Sequence, residues 1–521
     1  MKPFSLRWVA SAAAFAFTCL AAGTAAGQGA SLPQVGTVKS RSTSEMVAAG
    51  ITSPFGIGGE TTDRGFSTFS MWKDHLGPLG AQKIRVQSGW HFIETAITTP
   101  PTYDFTVLDA IVDGVRAQGV KPFVFLGYGN ERAGCTDCGT KGLGGAIPTG
   151  AGRTRFIEFV KATVRRYNEP TVRVNDWQLW NEPDGHVDVA AYGELIVEMA
   201  KAIKSVQPAA RITIGAFTTG VLGGTGSAGY AYAQTSINHF SANKGPTVPD
   251  ADISVGYHPY WSPPDYDMYP SELAKFDAFR NLAESKGFKV RMDESGAPSG
   301  PCLYFAFCSA DSGWNEESQA KWMVRRMLGD FARNIESSIF TITDLHYDST
   351  KNPKGLLETG TWVWDPNNPG IKNGDQSVKR RKLAYGSYQN VTAIFDSRLQ
   401  RITDHGCTAP YGYTVHAYKR NDAGTERRLL AVWQRNVQLP TATTPVSTID
   451  ITCTNFHFPR FAQVNTLLPR FTNLIDGKVR STTAAMVTGN NATTNKVQLK
   501  GVPVSDAPVV VSDQGIVLMN P

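Results

Sequence analysis

The sequence predicts an α/β protein in which a (β/α)8 barrel is followed by a small antiparallel β-sandwich. The chain has 521 residues, which is too long for one ordinary hydrophobic core. Between about residues 53 and 396, short runs of β-branched and aromatic residues alternate with amphipathic helical stretches. After about residue 397, short strand-like runs are separated by Gly, Asn and Pro, without a long helical stripe.

Eight strand-then-helix units follow one another in the first region. The stretch "DFTVLDAIVDGVRAQG" shows the helical pattern, with an apolar stripe from Val107 to Val115 and Gly119 at its end. The strand runs are "SPFGIGG", "AQKIRVQ", "KPFVFLGYG", "NDWQLW", "ARITIGAF", "ADISVGYH", "KVRMDE" and "SSIFTITDLHYD". Strict alternation implies parallel strands with right-handed crossovers, and eight of them suit a closed barrel. An open doubly wound sheet is the alternative, but no Gly-rich dinucleotide turn follows the first strand.

The domain organisation follows from this pattern and from the amino end. Residues 1–26 carry Lys2 and Arg7 before an apolar run that starts at Val9, and small residues follow it. This arrangement is typical of a secretory signal peptide, whereas a membrane anchor, the alternative, needs roughly 20 apolar residues. We therefore expect a secreted or periplasmic mature protein without a membrane anchor. We assign residues 27–396 to the barrel and residues 397–521 to the sandwich.

Charge and cysteine content limit the partners and cofactors. The formal net charge is +6, and no block of Lys and Arg suggests a nucleic-acid partner. An even number of cysteines outside the signal peptide favours disulfides in an exported protein. We expect neighbours to pair: Cys135 with Cys138, Cys302 with Cys308, and Cys407 with Cys453. The "CTDC" motif could instead be half of a zinc site, but no matching Cys or His pair is present, so we expect neither a metal nor another cofactor.

The tripeptide Asn-Glu-Pro occurs twice, and its surroundings separate the two copies. Residues 168–170 directly follow a helix that the proline ends, so Glu169 is expected to be a solvated residue. Residues 181–183 follow the fourth strand, "DWQLW", and therefore lie at the mouth where barrel enzymes keep their chemistry. Strand alternation places Gln178, Trp180 and Glu182 on one side. We therefore expect Glu182 to be a functional carboxylate.

A second glutamate ends the seventh strand, which faces the fourth strand across the predicted barrel mouth. In "KVRMDESG", Glu294 lies at the strand tip, and Asp293 is expected to point away from it into the scaffold. Two glutamates on opposite walls of one mouth are the minimum machinery for glycoside cleavage. The ends of strands two and six add Arg85, His258 and Tyr260, of which an arginine can keep a carboxylate ionised and a tyrosine can hold it in position.

With these motifs the sequence resembles clan A of the glycoside hydrolases, through "LWNEPDG", "RMDESG", Arg85 and the "HPY" at 258–260. A barrel followed by a β-sandwich is most similar to family 39, the β-xylosidase-like group that includes exopolysaccharide-cutting enzymes. The resemblance implies that Glu182 is the general acid/base and Glu294 the nucleophile. It implies supporting roles for the others: Asn181 binds the sugar 2-hydroxyl, Arg85 and Tyr260 hold Glu294, and His258 lies near Glu182.

The sequence departs from the clan at the end of strand eight, where many members have a tryptophan beneath the sugar. Here "TDLHYD" offers Asp344, His346 and Tyr347, and Trp362 or Trp364 in the following "GTWVWD" could substitute. Aromatic residues at the predicted rim can stack on sugar rings, although a share of them must belong to the core. The aromatic side chains that we predict to bind substrate, besides Tyr260, are Trp90, Trp261, Tyr347 and Trp364.

These residues predict a retaining glycoside hydrolase that cleaves a β-linked poly- or oligosaccharide through a glycosyl-enzyme ester. The two glutamates must then differ in pKa, which is expected to be high for Glu182 as the acid and low for Glu294 as the nucleophile. Long loops after strands six and seven suggest a groove and endo action. An exo-acting β-xylosidase-like enzyme and a catalytically silent carbohydrate-binding protein are the alternatives.

Overall fold

The computed structural model contains a closed barrel of eight parallel strands, as the sequence predicts. It describes residues 31–61, 65–133, 147–171, 173–261, 263–302, 313–347, 350–360, 362–364, 372–437, 439–440 and 444–521. The barrel strands, named β1 to β8 in chain order, are Phe55–Gly59, Lys83–Gln87, Lys121–Leu126, Asp176–Leu179, Arg211–Phe217, Ile253–Tyr257, Lys289–Ser295 and Glu336–Ile339. Strand β1 pairs in parallel with both β2 and β8, which closes the barrel.

Helices cover the outside of the barrel because each presents an apolar stripe to the strands. The helix Thr106–Ala117 buries the predicted stripe from Leu108 to Val115. The longer helices are Thr106–Ala117, Gly150–Arg166, Val189–Val206, Ala228–Asn243, Pro270–Glu284, Glu316–Ala332 and Leu383–Ile394. The short helices and 3-10 turns are Thr43–Ala48, Phe69–Trp72, Lys73–His75, Leu76–Leu79, Trp90–Ile93, Glu131–Ala133, Pro183–Gly185, Thr219–Gly223, Asp250–Asp252 and Pro459–Gln463.

Strand β8 is shorter than the sequence predicts. It ends at Ile339, and the run "TDLHYD" lies outside the barrel, where Leu345–Tyr347 pairs antiparallel with Thr350–Asn352. After Ile339 the chain leaves the parallel ladder, and Asp344 is buried against Lys382. Two more hairpins follow, which pair Leu357–Thr359 with Val378–Arg381 and Trp362–Trp364 with Lys372–Gly374.

The carboxyl-terminal region is an antiparallel sandwich of two sheets, as expected. The larger sheet contains Gln34–Val38, Gln400–Ile402, Tyr413–Asp422, Thr425–Gln434, Arg470–Asn473, Lys478–Ser481, Val509–Ser512 and Met519–Asn520. The smaller sheet contains Cys407–Thr408, Ser447–Cys453, Val487–Asn491 and Lys496–Val504. Their facing apolar residues, among them Leu430, Ile451 and Phe471, form a core of their own.

One strand of the sandwich precedes the barrel in the chain. Gln34–Val38 pairs with Lys478–Ser481 and with Met519–Asn520, although the sequence pattern assigned it to the barrel region. Gly36 permits this pairing, because a Cβ atom there would lie 2.3 Å from the Asn520 carbonyl oxygen. A strand of five residues has too short a pattern to show which sheet it joins, and that choice is made by contacts with the far end of the chain.

The predicted disulfide between Cys407 and Cys453 is present. Cys302 is disulfide-bonded as well, whereas Cys135, Cys138 and Cys308 lie outside the described residues, so the other two pairings stay predictions. The predicted signal peptide, residues 1–26, also lies outside them. Among the helices that the structure describes, none combines the length and the apolar composition needed to cross a membrane.

Removing the disulfide is expected to lower the free energy of unfolding of the sandwich by about 2–4 kcal/mol. The bond joins cysteines 46 residues apart and therefore restricts the unfolded chain. Urea unfolding of the Cys407→Ala/Cys453→Ala double variant, compared with the wild type, measures the change. An unfolding midpoint that does not move would contradict the prediction.

Candidate active site

Glu182 lies in a tight turn after β4. The strand ends at Leu179, and both Trp180 (φ 64°) and Glu182 (φ 44°) have left-handed backbone conformations, which residues other than glycine rarely adopt. The Glu182 N–H donates to the carbonyl oxygen of Ala216, at 3.0 Å, which holds the turn against β5. Non-glycine residues held in this region cost free energy and are concentrated at functional sites.

The prediction that alternation places Trp180 and Glu182 on one side is wrong. Trp180 is completely buried and lies edge-on to Tyr128 and Phe156. The side chain of Glu182, in contrast, is 32% exposed. Alternation holds only while the backbone is extended, and the backbone leaves that conformation at Trp180. The turn therefore determines where Glu182 points.

Glu182 and Glu294 converge with His258 at the carboxyl ends of the barrel strands. One carboxylate oxygen of each glutamate and one ring nitrogen of His258 all lie within 4.8 Å of one another. Glu294 belongs to β7, and its side chain is 13% exposed. Among the residues that the structure describes, these three form the group whose side-chain atoms are spaced closely enough to bind a metal ion. The His258 nitrogen in that group already shares a hydrogen bond with Glu182.

Arg85 and Tyr260 hold the carboxylate of Glu294 between them. The Nη1 group of Arg85 donates to Oε2 at 2.7 Å, and the Tyr260 hydroxyl donates to Oε1 at 2.9 Å. Because each oxygen has its own donor, the plane of the carboxylate is fixed. This is the arrangement that the sequence resemblance implies for the two residues.

Arg85 is buried and binds several partners with one guanidinium group. Its Nε donates to Gln178 and its Nη2 to Asn181, each at 2.7 Å. Its Nη1 also lies 3.5 Å from an oxygen of Glu60. Burial opposes the charged form, but the charges of Glu294 and Glu60 outweigh it and raise the pKa of Arg85 above its ordinary value. Arg85 is therefore a permanent positive charge beside Glu294.

Asn181 is oriented by two partners. Its Oδ1 accepts from Arg85 at 2.7 Å, and its Nδ2 donates to the Tyr128 hydroxyl at 3.0 Å. The side-chain amide is thus fixed one residue before Glu182, on the Arg85 side of Glu294. Its position is compatible with the implied contact to a sugar 2-hydroxyl.

His258 is completely buried and connects Glu182 with Asp293. Its Nδ1 lies 2.8 Å from an oxygen of Glu182, and its Nε2 lies 3.4 Å from an oxygen of Asp293. Burial lowers the pKa of His258, but the charges of Glu294 and Asp293 outweigh burial and raise the pKa to about 10. The imidazole is therefore protonated at neutral pH, and its Nδ1–H donates to Glu182.

Asp293 supports His258, which strand alternation did not reveal. Its carboxylate points away from Glu294 into the scaffold, as expected, and its partner there is the histidine that binds Glu182. Gly256 of β6 makes room for it, because a Cβ atom at that position would lie 2.4 Å from Oδ2 of Asp293. A chain of contacts thus runs from Asp293 through His258 to Glu182.

The pKa of Glu182 differs from the prediction. Burial raises it, but the hydrogen bond from His258 and the charges of His258 and Arg85 lower the pKa below its ordinary value. The expectation of a raised pKa is wrong for this structure, because it considered only the charge of Glu294 and left out the protonated histidine. The proton shared by Glu182 and His258 therefore resides on His258.

The stability difference between the wild type and His258→Gln is expected to shrink as the pH rises towards 10. The pKa of His258 is raised from 6.5 to about 10, so the imidazolium contributes fully below pH 6.5. That contribution is lost as the pH rises through about 10. Urea unfolding of both proteins below pH 6.5 and at about pH 10 measures the difference. A difference that is independent of pH would contradict the raised pKa.

The predicted aromatic residues are not all at the site. Trp90 is buried in the core against Phe156 and Phe159, and its Nε1 donates to Glu94, so it is not available to a sugar. Trp261 follows Tyr260 in the chain after β6 and is half-buried. Tyr347 and Trp364 end their strands, but their side chains lie outside the described part of the chain.

The motifs in the sequence did not predict Glu60, Tyr128 or Lys354 as part of the site. Glu60 follows β1, so the rule that barrel chemistry lies at the carboxyl ends of strands points to it. Tyr128 follows β3, and the same rule applies. Lys354 comes after the hairpin that follows β8, and its ammonium group lies 5.6 Å from the centroid of the Tyr260 ring. No pattern in the sequence marks that lysine.

Fold and site together consist of a (β/α)8 barrel with a β-sandwich and of two glutamates that converge from the ends of β4 and β7. This is the arrangement that the sequence resemblance to clan A glycoside hydrolases implies. The chain is similar to the structure of a family 39 glycoside hydrolase from the gut symbiont Bacteroides cellulosilyticus WH2, with 15% identity and a TM-score of 0.58 over 89% of this chain and 81% of that one. It is also similar to a monomeric β-xylosidase from Caulobacter crescentus CB15, with 16% identity and a TM-score of 0.53 over 92% of this chain and 97% of that one.

These similarities confirm the fold that the sequence resemblance to family 39 implied. At such low identity they concern the fold, and the chemistry has to be argued from the residues of this chain. No protein-family model and no curated protein sequence matches the chain.

Proposed function

We propose that the protein is a secreted or periplasmic retaining glycoside hydrolase that acts on a β-linked poly- or oligosaccharide. The observation that carries this proposal is the convergence of Glu182 and Glu294, which have carboxylate oxygens within 4.8 Å of each other. Retaining enzymes have carboxyl groups about 5–5.5 Å apart, whereas inverting enzymes need about 6.5–9.5 Å to admit a water molecule. The names of the similar structures, a family 39 hydrolase and a β-xylosidase, support the same class of reaction.

In the first step, Glu294 attacks the anomeric carbon while Arg85 and Tyr260 hold its carboxylate. The leaving oxygen needs a proton, which His258 carries. While Glu294 is ionised its charge raises the pKa of His258 and opposes transfer along the 2.8 Å hydrogen bond to Glu182. Ester formation removes that charge, so the proton moves to Glu182, and from Glu182 to the leaving oxygen, as the ester forms, which leaves His258 neutral. A glycosyl ester on Glu294 results.

In the second step, Glu182 accepts a proton from water, and the hydroxide attacks the anomeric carbon of the ester. The sugar leaves with its original configuration, and Glu294 is ionised again. The proton on Glu182 then returns to His258. The contact between His258 and Asp293 favours this return, because it stabilises the imidazolium form.

Product analysis on a panel of β-linked polysaccharides tests the proposal. We expect NMR spectra of the first products to show a retained anomeric configuration. We also expect the release of oligosaccharides of mixed length, as endo action requires. Release of single sugars from chain ends would favour the exo-acting, β-xylosidase-like alternative. Binding without hydrolysis would favour a silent carbohydrate-binding protein and contradict the proposal.

A further inference from the structure

Lys354, in the region that follows β8, has its side-chain amine near Tyr260, which binds Glu294. The side chain is buried, with only 2% of the residue exposed. Its main chain is tied to the scaffold, because the carbonyl oxygen accepts from the Thr341 N–H at 3.4 Å and from Gln319 Nε2 at 3.2 Å. The position of Lys354 is therefore set by the barrel and by the helix Glu316–Ala332.

The ammonium group of Lys354 belongs to the same cluster as the carboxylate of Glu294. It lies 5.6 Å from the ring centroid of Tyr260, whose hydroxyl donates to Oε1 of Glu294. Burial lowers the pKa of Lys354 to about 7, although the charge of Glu294 acts in the opposite direction. At neutral pH the amine is thus close to its titration midpoint, and a further anion beside it would favour the charged form.

The two oxygens of Glu294 define two sides of the sugar that it attacks. Oε2 is held by Arg85, which also binds Asn181, the residue that the proposed function assigns to the 2-hydroxyl. Oε1 is held by Tyr260, and Lys354 lies on this second side. In a pyranose ring the anomeric carbon has C2 on one side and the ring oxygen, followed by C5, on the other. With the 2-hydroxyl bound by Asn181, as the proposed function has it, the Lys354 side would face C5.

We propose that Lys354 recognises a carboxylate on C5, so that the sugar attacked by Glu294 is a hexuronic acid. The inference rests on the proposed function, because it requires Glu294 to be the nucleophile. A buried ammonium group and a carboxylate form a charge-assisted hydrogen bond that the hydroxymethyl group of a neutral hexose cannot match.

Matched pairs of 4-nitrophenyl β-glycosides test the assignment, because the members of each pair differ only at C6. The pairs are the glucuronide and glucoside, the galacturonide and galactoside, and the mannuronide and mannoside. We expect the wild type to prefer the uronide of at least one pair. Lys354→Met should lower kcat/KM for that uronide by about 10–100-fold and that for its neutral partner by less than about 3-fold. Lys354→Arg, which keeps the charge, should restore part of the preference.

Lys351→Met is the matched control, because Lys351 lies in the hairpin just before Lys354 but is 33% exposed and pairs with Asp344. It should leave the preference unchanged. Circular dichroism and thermal unfolding establish that the Lys354 variants are folded, and Lys354→Gln serves as a second neutral variant. Equal losses on both members of a pair would overturn the inference, because Lys354 would then act through Glu294 alone.

The failures of the two proposals can be told apart. Hydrolysis of neutral glycosides in preference to every uronide would overturn the role of Lys354 and leave the proposed hydrolase intact. Failure of the wild type to hydrolyse any of the glycosides or any β-linked polysaccharide would overturn both.

Discussion

Replacement of Glu182 or Glu294 by glutamine is expected to remove nearly all turnover while the protein stays folded: loss of the acid/base Glu182 should lower kcat by about 10²–10⁴-fold, and loss of the nucleophile Glu294 by at least as much. Glutamine has nearly the same shape as glutamate, but it neither attacks an anomeric carbon nor carries a transferable carboxyl proton. Glutamine fills the same space at both positions, and the one local cost is in Glu294→Gln, where the amide NH2 faces either Arg85 or Tyr260, both of which donate to Glu294. Steady-state hydrolysis of the best substrate, with circular dichroism of each variant, measures the effect.

Glu169→Gln is the control, because Glu169 is the exposed glutamate of the other Asn-Glu-Pro tripeptide. It should change kcat little. Sodium azide distinguishes the two roles: with Glu294→Ala it should attack the substrate directly and give a glycosyl azide of inverted configuration. With Glu182→Ala it should attack the glycosyl ester and give an azide of retained configuration. Near-normal turnover by pure Glu294→Gln protein would contradict the assignment of the nucleophile.

Arg85→Met is expected to lower both activity and stability. The substitution leaves Glu294 and the buried Glu60 without their shared cation, at a cost of about 3–5 kcal/mol in the free energy of unfolding. It also releases Oε2 of Glu294 and the amide of Asn181, so kcat/KM should fall by about 10²-fold or more through misplacement of reacting groups. Urea unfolding and steady-state kinetics measure the two effects separately.

Two further variants show whether the effect comes from geometry or from charge alone. Arg85→Lys keeps the charge, but a compact ammonium group cannot reach Gln178, Asn181 and Glu294 together, so activity should remain low. Arg166→Met removes an exposed arginine that pairs with Asp109, and it should cost no more than about 1 kcal/mol. If Arg85→Met were as mild as Arg166→Met, the role given to Arg85 would be refuted.

The location of Glu182 after β4 was predicted from the sequence, but the strand alternation that was expected to orient its side chain does not extend to it. The motif after "DWQLW" placed it at the barrel mouth, because parallel strands end on one face. The alternation that was meant to orient it stops at Leu179, and two left-handed residues turn the chain instead. Glu294 was simpler, because it belongs to β7 itself.

The protonation of the site could not be read from the sequence. His258 binds Glu182 across 76 residues, and Arg85 binds Glu294 across 209 residues. The pKa values of these groups depend on how many charges meet and how deeply they are buried, and neither quantity is a local property. A proton on His258 and a lowered pKa for Glu182 therefore follow only from the assembled barrel.

The sequence by itself determined the order of strands and helices, the sandwich and the two strand ends that carry the glutamates. These features depend on apolar periodicity and on turn residues, which act over a few neighbouring positions. The tertiary structure decided the pairing of Gln34–Val38 with the far end of the chain, the support of His258 by Asp293, and the placement of Lys354 beside Tyr260. Each of these brings together segments that are distant in the chain, and only packing in three dimensions specifies which distant residues meet.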